Sequence, residues 1–116
     1  MGLKEKRRFP RIPLRIPLHY QVRGTSKFNN TIINDISLGG LGFTNNEFIA
    51  PNTALALELD ILSRVLRPIG RIAWSSPLSH SDRCQLGVEF LELDPKDKNY
   101  LSDYIDMKTT GFSGLT

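Results

Sequence analysis

From Ile12 to Val22 the apolar residues fall on even positions: Ile12, Leu14, Ile16, Leu18, Tyr20 and Val22. Polar residues or prolines fill most of the odd positions. A period of two predicts a strand with one buried face. Pro13 and Pro17 cannot donate to a ladder, which places them at an edge or an irregular start. Thr31–Ile36 predicts a second strand after the turn Arg23–Lys27. Leu38–Phe43 bends at its glycines and opens a short third strand. Leu55, Leu57, Leu59 and Ile61 alternate with smaller or acidic residues and predict a fourth strand. Ile69–Trp74 predicts a fifth, and Cys84, Leu86, Val88 and Phe90 a sixth. Ser63–Arg67 and Ser75–Arg83 read as connections.

The period then changes. Asp94 suits a helix N-cap, Pro95 the first helical position, and Asp97 the positive end of the helix dipole. Tyr100, Leu101, Tyr104 and Ile105 repeat at helical spacing, so one face packs on the β core. Met107–Thr116, rich in Gly, Ser and Thr, reads as a frayed or disordered tail. Six strands and a closing helix predict a small antiparallel barrel or sandwich. Alternation leaves open whether the sheet closes.

At 116 residues and 40% hydrophobic content, the chain fits one globular domain with a modest core. No apolar run approaches the ~20 residues of a membrane-spanning helix. The N-terminus lacks the apolar stretch of a secretory signal, so a cytoplasmic location is expected. Cys84, the single cysteine, lies in an alternating apolar run and reads as a buried thiol in a reducing compartment.

Charge changes the picture more than composition does. The net charge is +3. Residues 1–15 hold six basic side chains (Lys4, Lys6, Arg7, Arg8, Arg11, Arg15) against Glu5, a local +5. The rest holds nine basic against eleven acidic, or −2. A local positive arm calls for an anionic partner, not for a long polynucleotide track. Residues 1–11 have no useful periodicity and read as a flexible basic arm, with the folded body at 12–106.

Two stretches carry candidate chemistry. A guanidinium at Arg7, Arg8 or Arg11 can hold a phosphate through two hydrogen bonds, or the O6/N7 edge of guanine. Asp35 and Ser37, two apart, would share a strand face. A carboxylate there can accept from the paired N–H donors of guanine. The plainer readings are a solvated basic tail and a local Asx or serine turn.

Taken together, Arg7-x-x-x-Arg11 and Asp35-x-Ser37-x-x-Gly40 resemble the PilZ domain, a bacterial receptor for cyclic di-GMP. Gly70–Trp74, Leu86–Phe90 and the closing helix resemble later segments of that family. The resemblance implies a six-stranded antiparallel β-barrel with a C-terminal α-helix and a flexible N-terminal arm. It implies that Arg7 and Arg11 bind phosphate and the guanine Hoogsteen edge. Asp35 and Ser37 would take the Watson–Crick side, and Gly40 would shape the turn. Arg8 is a further candidate contact. Lys6, Gly39 and Trp74 carry less weight; Lys6 bears on whether one ligand or a stacked pair binds, and core packing competes for Trp74. The arm would close over the ligand and change the surface offered to an effector protein. Motility, exopolysaccharide synthesis and biofilm formation are the processes implied, and a small single domain suggests an adaptor.

The residues argue against an enzyme. His19 and His80 are isolated, no His/Cys pair has metal-ligand spacing, and there is no phosphate-loop pattern. No cofactor is expected beyond the ligand. The competing function is a small basic barrel that binds single-stranded nucleic acid through its arm and aromatic platforms. The negative balance beyond residue 15 and the scattered aromatics count against it.

Overall fold

The computed structural model describes residues 10–115, with side chains to residue 109. Among these, eight strands precede one helix: β1 (Ile12–Pro13), β2 (Pro17–Val22), β3 (Phe28–Ile36), β4 (Gly40–Asn45), β5 (Ala54–Ile61), β6 (Arg64–Leu66), β7 (Ile69–Pro77), β8 (Cys84–Glu92) and α1 (Pro95–Leu115). All pairings are antiparallel. Six strands follow one another in the order β3-β2-β5-β7-β8-β4, and β4 pairs back with β3. The sheet is therefore a closed barrel. β1 is added beside β3, and β6 beside β5.

The alternation read from the sequence sets the inside of the barrel. Leu18, Tyr20, Leu55, Leu57, Leu59, Ile61, Leu86 and Val88 all point into the core. Cys84 is a buried free thiol. The run Ile12–Val22 is divided, however, into β1 and β2. Prolines at 13 and 17 withhold two N–H donors, and the chain between them still bonds across to β3. Leu14 N–H donates to Asn34 O at 3.1 Å, and Ile33 N–H to Ile16 O at 3.0 Å. The expected turn at 63–67 contains β6, which forms a tight hairpin with β5.

The helix begins as its sequence dictates: the Asp94 carboxylate accepts from Lys96 N–H at 2.8 Å. Leu101, Tyr104 and Ile105 are buried against the barrel. Two further contacts tie the first turns of α1 to the β5–β6 hairpin. Tyr100 Oη donates to Ile61 O at 2.8 Å, and Arg64 pairs with Asp97 at 2.7 Å. The helix continues past Met107 to Leu115. No helix among the described residues is long and apolar enough to cross a membrane.

A buried polar contact joins β2 to the end of β4. Tyr20 Oη donates to Asn45 Oδ1 at 3.1 Å, and Asn45 Nδ2 donates to Glu47 O at 2.8 Å. Burial raises the Tyr20 phenol above its ordinary value of 10.0; the Asn45 hydrogen bond opposes this and the Glu47 charge adds to it. The folded state therefore holds this proton more tightly than the unfolded chain. The resulting stability is complete below about pH 10 and drains away as pH rises further. Tyr20→Phe should cost about 1–2 kcal/mol at neutral pH, because Asn45 Oδ1 loses its donor. It should also flatten the alkaline fall in stability. Urea unfolding at pH 7 and above pH 10 checks both.

Candidate ligand-binding site

Asp35 is the next-to-last residue of β3. It stands opposite Pro13 of β1 on one side and Gly42 of β4 on the other. A bulge between Ile33 and Asp35 turns its carboxylate to the outer wall while Ile33 and Ile36 stay buried. Arg11 precedes β1 and reaches it directly: Nη1 lies 2.5 Å from Asp35 Oδ1, with the two side chains 26% and 30% exposed. The first candidate stretch thus meets the second through its last arginine. Lys6, Arg7 and Arg8 lie outside the described residues.

Ser37 behaves differently from Asp35. It sits just beyond β3, only 4% exposed, and its hydroxyl accepts from Gly39 N–H at 3.1 Å. Its own N–H donates to Gly40 O at 2.8 Å. This is a serine turn that shapes the β3–β4 bend. Gly39 O in turn accepts from Phe90 N–H at 2.8 Å, so the bend is strapped to β8. Gly40 lies against β8 as well: a Cβ there would stand 1.9 Å from the carbonyl oxygen of Val88. Its glycine is required for strand approach, whatever else it does.

Two glycines outside the candidate site residues, Gly42 and Gly87, complete the surface. Gly42 faces Asp35 across β3–β4, Gly87 faces Gly42 across β4–β8, and Trp74 faces Gly87 across β7–β8. Directly opposed residues on neighbouring strands share a face. The row Asp35–Gly42–Gly87–Trp74 therefore runs across the outer wall. The Asp35 carboxylate leans over Gly42, where a Cβ would lie 3.2 Å from Oδ1. The indole leans over Gly87, where a Cβ would lie 2.2 Å from Nε1. Carboxylate and indole are thereby brought over two adjacent glycines whose Cα atoms are ~5 Å apart. Trp74 remains 42% exposed; it is a surface ring and not a core residue. The signal for Gly42 and Gly87 was available, since both occupy the outward phase between buried neighbours, where a glycine marks close approach.

A second bulge, between Ile72 and Trp74, puts Arg71 on the same outer wall as Trp74. Without the bulge, strict alternation would put Arg71 and Trp74 on opposite faces. It pairs with Glu89, which faces Gly40, through Nη2 at 2.7 Å and Nε at 3.0 Å. Among the described residues, no group of three His, Cys, Asp or Glu side chains could hold a metal ion.

Fold and site together define a small closed β-barrel that presents an arginine–carboxylate pair and an exposed indole on one wall. The chain belongs to the PilZ domain family, whose model matches residues 5–107. Solved structures agree on the fold. The PilZ domain of YcgR from Escherichia coli, determined with c-di-GMP, superposes with a TM-score of 0.68 at 16% identity, covering 96% of this chain and 99% of that one. The Bacillus subtilis inhibitor of motility MotI/DgrA gives a TM-score of 0.77 at 15% identity over 90% of this chain and 52% of that one. The K. pneumonia MrkH–c-di-GMP complex gives 0.74 at 16% identity over 95% and 55%. The chain thus spans about half the length of the MotI/DgrA and MrkH chains. No curated protein matches at a significant level.

Proposed function

We propose that this protein is a cytoplasmic receptor for cyclic di-GMP that acts on an effector protein. The observation that carries the reading is the contact between Arg11 and Asp35, in a chain of the PilZ domain family whose structural neighbours YcgR and MrkH were solved with c-di-GMP. Asp35 Oδ1 is engaged by Arg11, and the carboxylate has a second oxygen to offer. It can accept from guanine N1–H and N2–H2 while a base lies against the Trp74 indole. Arg11 supplies a fork for phosphate or for the O6/N7 edge of guanine. Arg7, with Arg8 beside it, adds the same chemistry from the arm. Ser37, Gly39 and Gly40 hold the bend that fixes Asp35.

In this mechanism the arm closes over a ligand seated on the outer wall. Ordering the arm costs conformational entropy, which the charge-assisted bonds offset. The closed form presents a different surface to the effector, and its population rises because the ligand binds it more tightly. Lys6, next to the first arginine, influences whether one ligand or a stacked pair is held. The output is control of motility, exopolysaccharide synthesis or biofilm formation. Two structural neighbours support this reading: one is an inhibitor of motility and another the PilZ domain of CeSA from a cellulose-synthesising bacterium.

Trp74 is the sole tryptophan, so its emission reports on the site without interference. Titration with cyclic di-GMP, followed by Trp74 fluorescence and by calorimetry, should give saturable binding in the micromolar range or tighter. An unresponsive indole together with no heat of binding would overturn the reading. Salt-sensitive binding of single-stranded DNA without dinucleotide binding would replace it by the nucleic-acid alternative.

A further inference from the structure

A cavity of about 380 Å³ is lined by Arg15, Thr31, Ile32, Asn34, Thr44 and Arg83, and not by Arg11 or Asp35. Three parts of the chain build it. Arg15 comes from the segment between β1 and β2, the next four residues from β3 and β4, and Arg83 from the end of the β7–β8 loop. Arg15 follows Arg11 by four residues and shares its outward phase, while Ile12, Leu14 and Ile16 turn inward. Asn34 adjoins Asp35.

The charge of this cavity is not neutralised from within. Arg11, Arg64, Arg67 and Arg71 each pair with a carboxylate. Among the described residues, the guanidinium groups of Arg15 and Arg83 have no such partner, and no acidic side chain lines the cavity. Asp82, the acidic neighbour of Arg83 in sequence, is not among the lining residues. Two unpaired cations that share one concavity repel each other, and an anion placed between them removes that repulsion.

Two hydrogen bonds fix the polar wall of the cavity. Thr31 Oγ1 donates to Thr44 O at 2.7 Å, and Asn34 Nδ2 donates to Thr44 Oγ1 at 3.1 Å. These bonds hold the wall in place. Because the Thr44 hydroxyl oxygen already accepts from Asn34, its own proton is left to donate. A tetrahedral oxyanion would thus meet two guanidinium forks and a hydroxyl donor. Those are the groups that recognise a terminal phosphate, which has three acceptor oxygens and up to two negative charges.

We propose that Arg15 and Arg83, with Thr44, form a second anion site that binds a terminal phosphate group, either free polyphosphate or the phosphate tail of a nucleotide. This site goes beyond the cyclic di-GMP reading and stands without it, because its test uses no cyclic dinucleotide.

The test is a titration of the full ¹⁵N-labelled chain with inorganic pyrophosphate at low ionic strength, followed by backbone amide and arginine Nε resonances. Saturable shifts at Thr31, Asn34 and Thr44, and at the Nε groups of Arg15 and Arg83, are expected. Arg15→Gln and Arg83→Gln should each weaken this binding about tenfold. Arg23→Gln, which removes an exposed arginine outside the cavity, should leave it unchanged. Both cavity arginines are exposed, so the variants should keep a dispersed, folded spectrum. The same titration with GTP separates the sources: tighter binding than pyrophosphate assigns the cavity to a nucleotide, and equal binding assigns it to the phosphate alone. Absence of saturable shifts at these residues with pyrophosphate would overturn the proposal. So would an equal loss in Arg23→Gln, which would mean unspecific attraction.

Discussion

Gly40→Ala is expected to destabilise the barrel by about 3 kcal/mol, enough to lower the melting temperature by roughly 15 °C in a domain of this size. The added methyl would stand 1.9 Å from the Val88 carbonyl oxygen and 3.0 Å from its carbon. Both are backbone atoms of β8, so no side-chain rotation can relieve the clash. β4 must move away from β8, against the ladder that pairs Gly40 with Glu89 and Leu41 with Val88. It must also strain the bond from Phe90 N–H to Gly39 O that straps the β3–β4 bend. Gly42→Ala provides the contrast. There the nearest atom is Asp35 Oδ1 at 3.2 Å, a carboxylate that can swing aside, so the stability cost should stay below about 1 kcal/mol. Urea unfolding of the two variants decides the point. Equal stability would mean that β4 and β8 do not approach as closely as described.

Arg11→Ala and Asp35→Ala should each weaken cyclic di-GMP binding by about 10- to 100-fold, the loss expected for one or two charge-assisted hydrogen bonds. Neither change should unfold the protein. Both side chains are about one-quarter to one-third exposed, and a pair so open to water contributes under about 1 kcal/mol to stability. Arg11 and Asp35 are bonded to each other through Nη1 and Oδ1, so their contributions to a bound ligand are coupled. Each single variant removes a ligand contact and frees the remaining partner at once. The double variant should therefore lose less affinity than the two single losses combined. Calorimetry on the three variants, with unfolding curves as controls, measures this. Unchanged affinity in both single variants would remove Arg11 and Asp35 from the site.

Much of the fold was legible in the chain, for a simple reason. A strand with one face in a core must alternate, and the even-numbered apolar residues from Ile12 to Val22 do so. Leu55, Leu57, Leu59 and Ile61 do so as well, and each is buried. The helix start was legible because Asp94 and Pro95 are local signals that act within one turn, and the Asp94 cap is formed. The division of the first strand at its prolines and the short β6 were missed. Each depends on which backbone groups find partners across the sheet, and a single segment does not carry that information.

The site divides along the same line. Arginines near the start and an Asp-x-Ser-x-x-Gly turn were legible as candidates, because charge and turn-forming capacity belong to the residues themselves. Ser37 illustrates the limit. Its spacing from Asp35 suggested a shared face, but the strand ends at Ile36 and the hydroxyl turns back to Gly39. Gly42 and Gly87 have meaning only in register, as the floor beneath the Asp35 carboxylate and the Trp74 indole. Arg71 joins that wall only because a bulge shifts the phase of β7.

The chain alone determined which residues face the core, where the helix begins and where positive charge is concentrated, since alternation, capping and charge act over a few residues. Tertiary structure alone decided that the sheet closes, through the pairing of β3 with β4. It also decided that Arg11 meets Asp35 across 24 residues of sequence, and that Asp35 and Trp74 lie on one wall. Those outcomes rest on strand register, which is set by the packing of the whole barrel and is not written in any one strand.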